Sequence, residues 1–180
     1  MKALAAVVGL VLALLATACG EPTARAVRAP DSPMSFAVPT GYTPLDEGGN
    51  GTAVYGRPGS ATVGFGDEPV LYMATLTEGD AMSFEVLRRI TTGDEYDPMD
   101  PALTVLPDGA KVIGYKEITE PKVWGIRLKL AVNGGAKDYQ ALVDRTTDKV
   151  VVTELACTQV CFKRQTKLID QIQGSWSLES

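Results

Sequence analysis

Three groups of residues in this chain have the types and spacing to do chemistry. Cys19 follows Leu15-Ala16-Thr17-Ala18 at the end of an apolar run and precedes Gly20. Small residues in front of it suit signal cleavage, which would leave its thiol at a new N-terminus. Cys157 and Cys161 form a C-x-x-x-C pair. On a helical path such residues lie about 6 Å apart, within reach of a disulfide. A structural disulfide is the expected state, with free thiols or a redox or metal pair as the alternatives. The spacing is not the redox C-x-x-C, and two thiolates alone do not complete a zinc site. The third group is Asp94-Glu95-Tyr96-Asp97-Pro98-Met99-Asp100-Pro101. Its carboxylates, Asp94, Glu95, Asp97 and Asp100, are hard oxygen ligands of the kind Ca²⁺ takes, but the EF-hand spacing and central glycine are missing. A solvated acidic loop, able to dock a partner, is the preferred reading.

Other chemistry is narrowed by composition. The chain has no histidine. That removes Ser-His-Asp and Cys-His catalysis and every His-dependent zinc site. Gly48-Gly49-Asn50-Gly51 lacks the Lys-Ser/Thr and helix of a phosphate loop. Asn50-Gly51-Thr52 fits a glycosylation sequon and reads as a glycine turn. The net charge is −5, and loss of a signal carrying Lys2 makes it more negative. No basic excess remains to neutralise phosphates, so a nucleic-acid partner is not expected. No cofactor or metal is expected either.

The N-terminus positions Cys19. Met1-Lys2 is a minimal positive region, and Ala3–Leu15 is apolar apart from Gly9. At 1.5 Å per residue this run makes a helix of about 20 Å, short of the roughly 30 Å of a bilayer core. It reads as a signal peptide over residues 1–18. The stretch resembles the lipobox of bacterial lipoproteins, except that Ala16 stands where a leucine is usual and the leucine is Leu15. The resemblance implies a diacylglyceryl thioether on Cys19. Two acyl chains anchor stably where one binds marginally. Residues 19–33 carry three prolines and mixed charge without apolar period, and read as a flexible tether reaching at most about 43 Å over Gly20–Pro33.

The remaining residues, 34–180, are expected to form one globular domain. Strands are predicted at Met34–Pro39, around Ala53–Tyr55, at Ala61–Phe65 and at Val70–Leu76. Asp80 is an N-cap candidate for a helix ending near Gly93, with Met82, Val86 and Ile90 on its apolar stripe. Lys111–Thr119 reads as a strand of mixed faces. Val123–Val132 alternates most clearly: Trp124, Ile126, Leu128, Leu130 and Val132 share one face, and Arg127 and Lys129 point the other way. Short turns then join it to strands at Asp138–Val143 and Lys149–Leu155, so the three form an antiparallel meander. A helix from about Val160 to Gln173 closes the chain, with Lys163, Arg164 and Lys167 on its solvated side. Trp124 and Trp176 are expected in the core. Helices with one apolar stripe must cover a sheet, so the fold class is α+β, a mostly antiparallel sheet covered by helices.

Met34-Ser35-Phe36-Ala37-Val38-Pro39-Thr40-Gly41-Tyr42 is similar to the opening Phe-x-x-Pro-x-Gly-aromatic of PsbP-like domains. Phe162…Ile169-Asp170…Ile172…Ser175-Trp176 is similar to their closing helix. With the lipobox, the chain resembles actinobacterial lipoproteins of the LpqN/LpqT kind. The resemblance implies an α/β/α sandwich and a binding or assembly protein with no shared catalytic motif. The expected function is a non-catalytic module at the outer face of the cytoplasmic membrane, held by its lipid, with an envelope protein or small ligand as partner. The alternatives are a carrier of a lipid or other apolar ligand, and an envelope hydrolase using Asp94, Asp97 or Asp100.

Overall fold

The computed structural model describes residues 24–46, 52–76 and 109–179. Strand β1 is Ala24–Arg28, β2 Met34–Pro39, β3 Thr43–Asp46, β4 Thr52–Gly56 and β5 Val70–Leu76. After residue 108 come β6 (Lys111–Thr119), β7 (Val123–Val132), β8 (Gly135–Asp144) and β9 (Lys149–Cys157). Helices α1 (Gln159–Arg164) and α2 (Thr166–Gly174) and a short β10 (Ser177–Leu178) finish the chain.

The alternation of β7 organises the larger sheet. Ile126, Leu128, Leu130 and Val132 are buried on one face, in a cluster with Ala141, Val143, Val150 and Val152. The tight turn at Asn133-Gly134 pairs Val132 with Gly135, and Gly134 takes the φ of +84° that favours glycine. A second turn pairs Asp144 with Lys149, so β7, β8 and β9 form the expected antiparallel meander. The full sheet has seven strands in the order β3-β4-β5-β9-β8-β7-β6, with every neighbouring pair antiparallel.

On the other face lies the larger core. Leu71, Met73, Leu142, Val151 and Leu155 of the sheet meet Phe162, Ile169 and Ile172 of the helices and Met34, Phe36 and Val38 of β2. β2 belongs to a second sheet, β1-β2-β10. The fold is mostly antiparallel β with two short helices among the described residues. The cover over this face is therefore part helix and part strand, where a purely helical cover was expected.

Several expectations change. Ala24–Arg28, assigned to the tether, pairs with β2 over its whole length; Val27 and Ala29 are buried against the core, which residues of a solvated linker would not be. Thr43–Asp46 is an unexpected strand, and its Pro44 is tolerated because β3 is an edge strand among the described elements. Ala61–Phe65 is irregular, since Gly64 turns to a φ of +78° and ends the extended run. The closing helix is divided at Gln165, where Thr166 donates its hydroxyl to the Phe162 carbonyl at 2.7 Å; such back-bonding bends helices. Trp124 and Trp176 are half-buried at the margins of the two cores. The predicted helix over Asp80–Gly93 lies outside the described residues.

Gly41 and Tyr42 explain the Pro-Thr-Gly-Tyr motif. Gly41 has a φ of +100°, and the turn buries Tyr42, whose hydroxyl donates to the Pro69 carbonyl at 3.0 Å. Burial pushes the Tyr42 phenol up to about 12.

A close approach inside the sheet gives a test. A Cβ at Gly125 would overlap the backbone carbonyl of Ala141 on the neighbouring strand. Forcing atoms into a packed site costs typically about 1–3 kcal/mol, and backbone has less room to yield than a side chain. Gly125→Ala is expected to lower the unfolding free energy by at least that much, read as a fall in the urea midpoint; an unchanged midpoint would refute the close approach.

Candidate functional site

The polar face of β7 carries Arg127 and Lys129, and that of β8 carries Asp138 and Gln140. Register sets Arg127 opposite Gln140 and Lys129 opposite Asp138. Helix α2 lies over them and brings Asp170 and Gln173 one turn apart. Arg127 grips Asp138 with two bonds, Nε to Oδ1 at 2.7 Å and Nη2 to Oδ2 at 2.6 Å. The same Nη2 donates to Asp170 Oδ1 at 2.6 Å, and Lys129 Nζ donates to that oxygen at 2.7 Å. A two-pronged arginine–carboxylate bond is among the strongest polar contacts proteins make.

Around this ion cluster most of the neutral polar atoms find partners as well. Gln173 Nε2 donates to the Asp138 carbonyl at 2.8 Å, and its Oε1 accepts from Thr153 Oγ1 at 2.7 Å. Gln140 Nε2 donates to the Gln173 carbonyl at 3.1 Å. Asp138, Gln140, Thr153 and Gln173 are all fully buried. Burying such groups without partners would cost several kcal/mol each.

The charge states follow. Burial is the largest influence on Asp138 and raises its pKa, opposed by the Arg127 hydrogen bonds and by Lys129. For Asp170, with 43% of its side chain exposed, burial also pulls upward, but the bonds from Lys129 and Arg127 outweigh it and hold the carboxyl below its ordinary value. Arg127 loses hydration, yet its bonds to Asp138 and Asp170 raise it further. Away from this cluster, Asp144 is lowered despite its burial, because it accepts from the hydroxyls of Thr146 and Thr147 and from backbone N–H groups in the β8–β9 turn.

Beside the cluster, past the end of α2, runs a groove of about 650 Å³ that no other described element covers. Lys116, Ile118 and Glu120, on or just beyond β6, form one wall, and Gly174 and Trp176 the other, with Arg127, Gln140 and Gln173 between. A smaller adjoining hollow of about 270 Å³ shares Lys116 and Arg127. A third hollow of about 410 Å³ is mostly apolar, with the Lys137–Glu154 ion pair in its lining. The Ala61–Phe65 segment roofs it over Val54, Val70, Tyr72 and Ala156.

Of the residues predicted to act, Cys157 and Cys161 are joined in a disulfide with Cα atoms 5.9 Å apart. Thr158 accepts from the Cys161 N–H at 3.3 Å and caps α1. Cys19 and Asp94, Glu95, Asp97 and Asp100 lie outside the described residues. No group of three or more His, Cys, Asp or Glu suited to a metal occurs among the described residues. Sequence reasoning placed Arg127 and Lys129 together but missed their partners. The available signal was the pair Asp138 and Gln140, two apart on a strand flanking an apolar one.

No family model matches this chain, and no curated protein matches it. Solved structures do resemble it. The solution structure of the cyanobacterial PsbP protein CyanoP from Synechocystis superposes with a TM-score of 0.53 at 12% identity, covering 90% of this chain and 96% of that one. The Ran-binding protein Mog1p of Saccharomyces cerevisiae gives 0.48 at 12% identity, over 88% and 96% of the two chains. LpqN of Mycobacterium tuberculosis, described as involved in cell envelope biogenesis, gives 0.46 at 18% identity, over 88% and 91%. At such identities the likeness to CyanoP is one of fold: this chain has a PsbP-like fold.

The ion cluster can be tested by breaking it. Asp138→Ala leaves Arg127 charged and only 12% exposed, and loss of one partner of a buried pair costs about 3–5 kcal/mol. Urea unfolding should show that loss. The pH dependence has a defined sign. Asp170 and Asp144 have lowered folded pKa values, so their stabilisation is complete above the ordinary carboxylate range, about 4, and is lost as pH falls through their folded values. Asp138, raised, contributes in the opposite sense. Asp170→Asn is therefore expected to flatten the acid limb of stability against pH; an unaltered limb would sink the assignment.

Proposed function

We propose that this protein is a non-catalytic binding or assembly module of the bacterial cell envelope, a lipoprotein of the actinobacterial kind carried on the outer face of the cytoplasmic membrane by a lipid on Cys19. The observation that carries the binding reading is the groove beside the ion cluster. Its neighbouring carboxylates, Asp138 and Asp170, are engaged by Arg127 and Lys129 and serve to hold α2 on the sheet. A general acid or base must instead exchange a proton near neutral pH. The ion cluster thus suits holding the helix better than proton transfer, and the groove beside it, with Glu117 and Glu120 on its rim, has a volume in the range of small-ligand sites.

Export is supported by the signal-like N-terminus and by the Cys157–Cys161 disulfide, a bond that persists in oxidising compartments. No helix among the described residues is long and apolar enough to cross a membrane. One observation favours a second reading, a carrier of an apolar group: the hollow of about 410 Å³ under Phe65. Native mass spectrometry showing bound lipid would select that reading.

Two measurements test the proposal. Cys19→Ala should move the protein from the membrane fraction to the soluble one and abolish palmitate labelling; retention at the membrane would refute the anchor. A photo-crosslinking residue at Glu120, which lines the groove, should give an adduct in intact envelopes that Lys116→Glu suppresses. The same probe at Asp148, in the exposed β8–β9 turn, should give none. Equal labelling at both positions would remove the groove from the function.

A further inference from the structure

The groove is electrically asymmetric, and its asymmetry points to a ligand. Arg127 uses Nε and Nη2 for all its bonds to Asp138 and Asp170. Its third nitrogen, Nη1, has no acceptor among the described residues, although Arg127 lines both polar hollows. A guanidinium carries five N–H donors, so two remain for a ligand. Directly across from Arg127 on the edge strand is Lys116. It is exposed and has no ion-pair partner among the described residues.

Charge matching sets the sign and size of the ligand. At this end of the groove three cations, Lys116, Arg127 and Lys129, meet two carboxylates, Asp138 and Asp170. One positive charge is left over. Glu117 lines the rim, but strand alternation directs its side chain to the opposite face from Lys116. Glu120 lies four residues further on, about 13 Å along an extended strand. A singly charged anion therefore fits the cationic end, and a dianion would exceed the available charge.

The neutral groups add a second requirement. Gln140 donates through Nε2 to the Gln173 carbonyl, and its Oε1 has no donor among the described residues. An N–H beside the anion would supply one. Ile118 and the half-buried Trp176 provide an apolar wall beyond.

We propose that the groove binds a carboxylate of the acylamino-acid type, the chemistry of a peptide's free C-terminus. Lys116 and Arg127 Nη1 take the carboxylate, Gln140 Oε1 accepts the adjacent N–H, and Trp176 flanks the terminal side chain. The inference rests on reading the groove as a recognition site and names what that site recognises.

The experiment titrates the full lipidated chain, in detergent micelles, with N-acetyl-glycyl-leucine, its C-terminal amide, hexanoate and inorganic phosphate. Binding is followed by the NMR shifts of the Gln140 side-chain amide and the Trp176 indole. The expected result is saturable movement of both signals with the peptide acid, at least tenfold weaker binding of the amide and of hexanoate, and no saturable movement with phosphate. Lys116→Glu should weaken the peptide acid at least fivefold while leaving the urea midpoint unchanged. Equal binding of acid and amide, tighter binding of phosphate, or indifference to Lys116→Glu overturns the carboxylate assignment. Hexanoate binding as well as the peptide acid overturns the role of Gln140. If no probe moves either signal while the Glu120 adduct still forms, the ligand assignment fails and the groove's role in binding stands.

Discussion

The described structure depends on one polar contact, the two-pronged grip of Arg127 on Asp138. Asp138 sits with no solvent access beneath α2, where an unpaired carboxylate would be untenable. Arg127 makes it tolerable, and Asp170 and Lys129 complete a set of two cations and two anions. Gln173 joins this set to the backbone of β8 and to Thr153 of β9. A helix of nine residues with apolar Ile169 and Ile172 could slide over an apolar sheet at small cost. With Gln173 and Asp170 tied to particular atoms, it has one seat. A buried network whose charges are paired specifies position in this way, because any displaced arrangement strands a charge.

The other end of the closing helices is fixed by different means. Thr158 N–H donates to the Gly66 carbonyl at 2.9 Å, and Arg164 reaches the Asp67 carbonyl at 2.7 Å. The disulfide holds α1 to the end of β9. Phe65 packs over Gly135, where a Cβ would overlap its ring. The irregular segment between β4 and β5 is thus clamped to the helix start and to the β7–β8 turn at once. Between these anchors the strip of β6 and β7 left bare by the described elements becomes a groove: α2 ends at Gly174, and the chain turns away to pair β10 with β2.

Much of this was legible from residue patterns. The alternation of Val123–Val132, the Asn-Gly turn and the short return strands gave the meander with its boundaries nearly right, because a buried face enforces period two over many residues. The Pro-Thr-Gly-Tyr turn and the cysteine pair were equally plain. β1 was obscured by its composition: Ala24-Arg25-Ala26-Val27-Arg28 has one large inward residue, Val27, and its strand character comes from β2 alongside it. The groove was harder to see, since it arises from Arg127, Gln140 and Gln173, which are distant in sequence and meet only through register. Asp138 in particular reads only as the first residue of a predicted strand, with nothing local to mark it as buried. Its burial depends on Arg127 eleven residues earlier, a pairing that local propensity does not encode.

The pairing of β1 with β2 has a consequence for how the domain would sit at a membrane. A lipid on Cys19 would be joined to Ala24, the first residue of that strand, by five peptide steps, which span at most about 18 Å. A tether free as far as Pro33 would allow about 43 Å. The volume open to the attachment point scales with the cube of that length, so the shorter leash confines it more than roughly tenfold. Effective concentration toward any neighbour in the same leaflet rises by a comparable factor when geometry permits the encounter. A weak groove would then suffice, since confinement by a few paired residues of β1 would do much of what intrinsic affinity otherwise must.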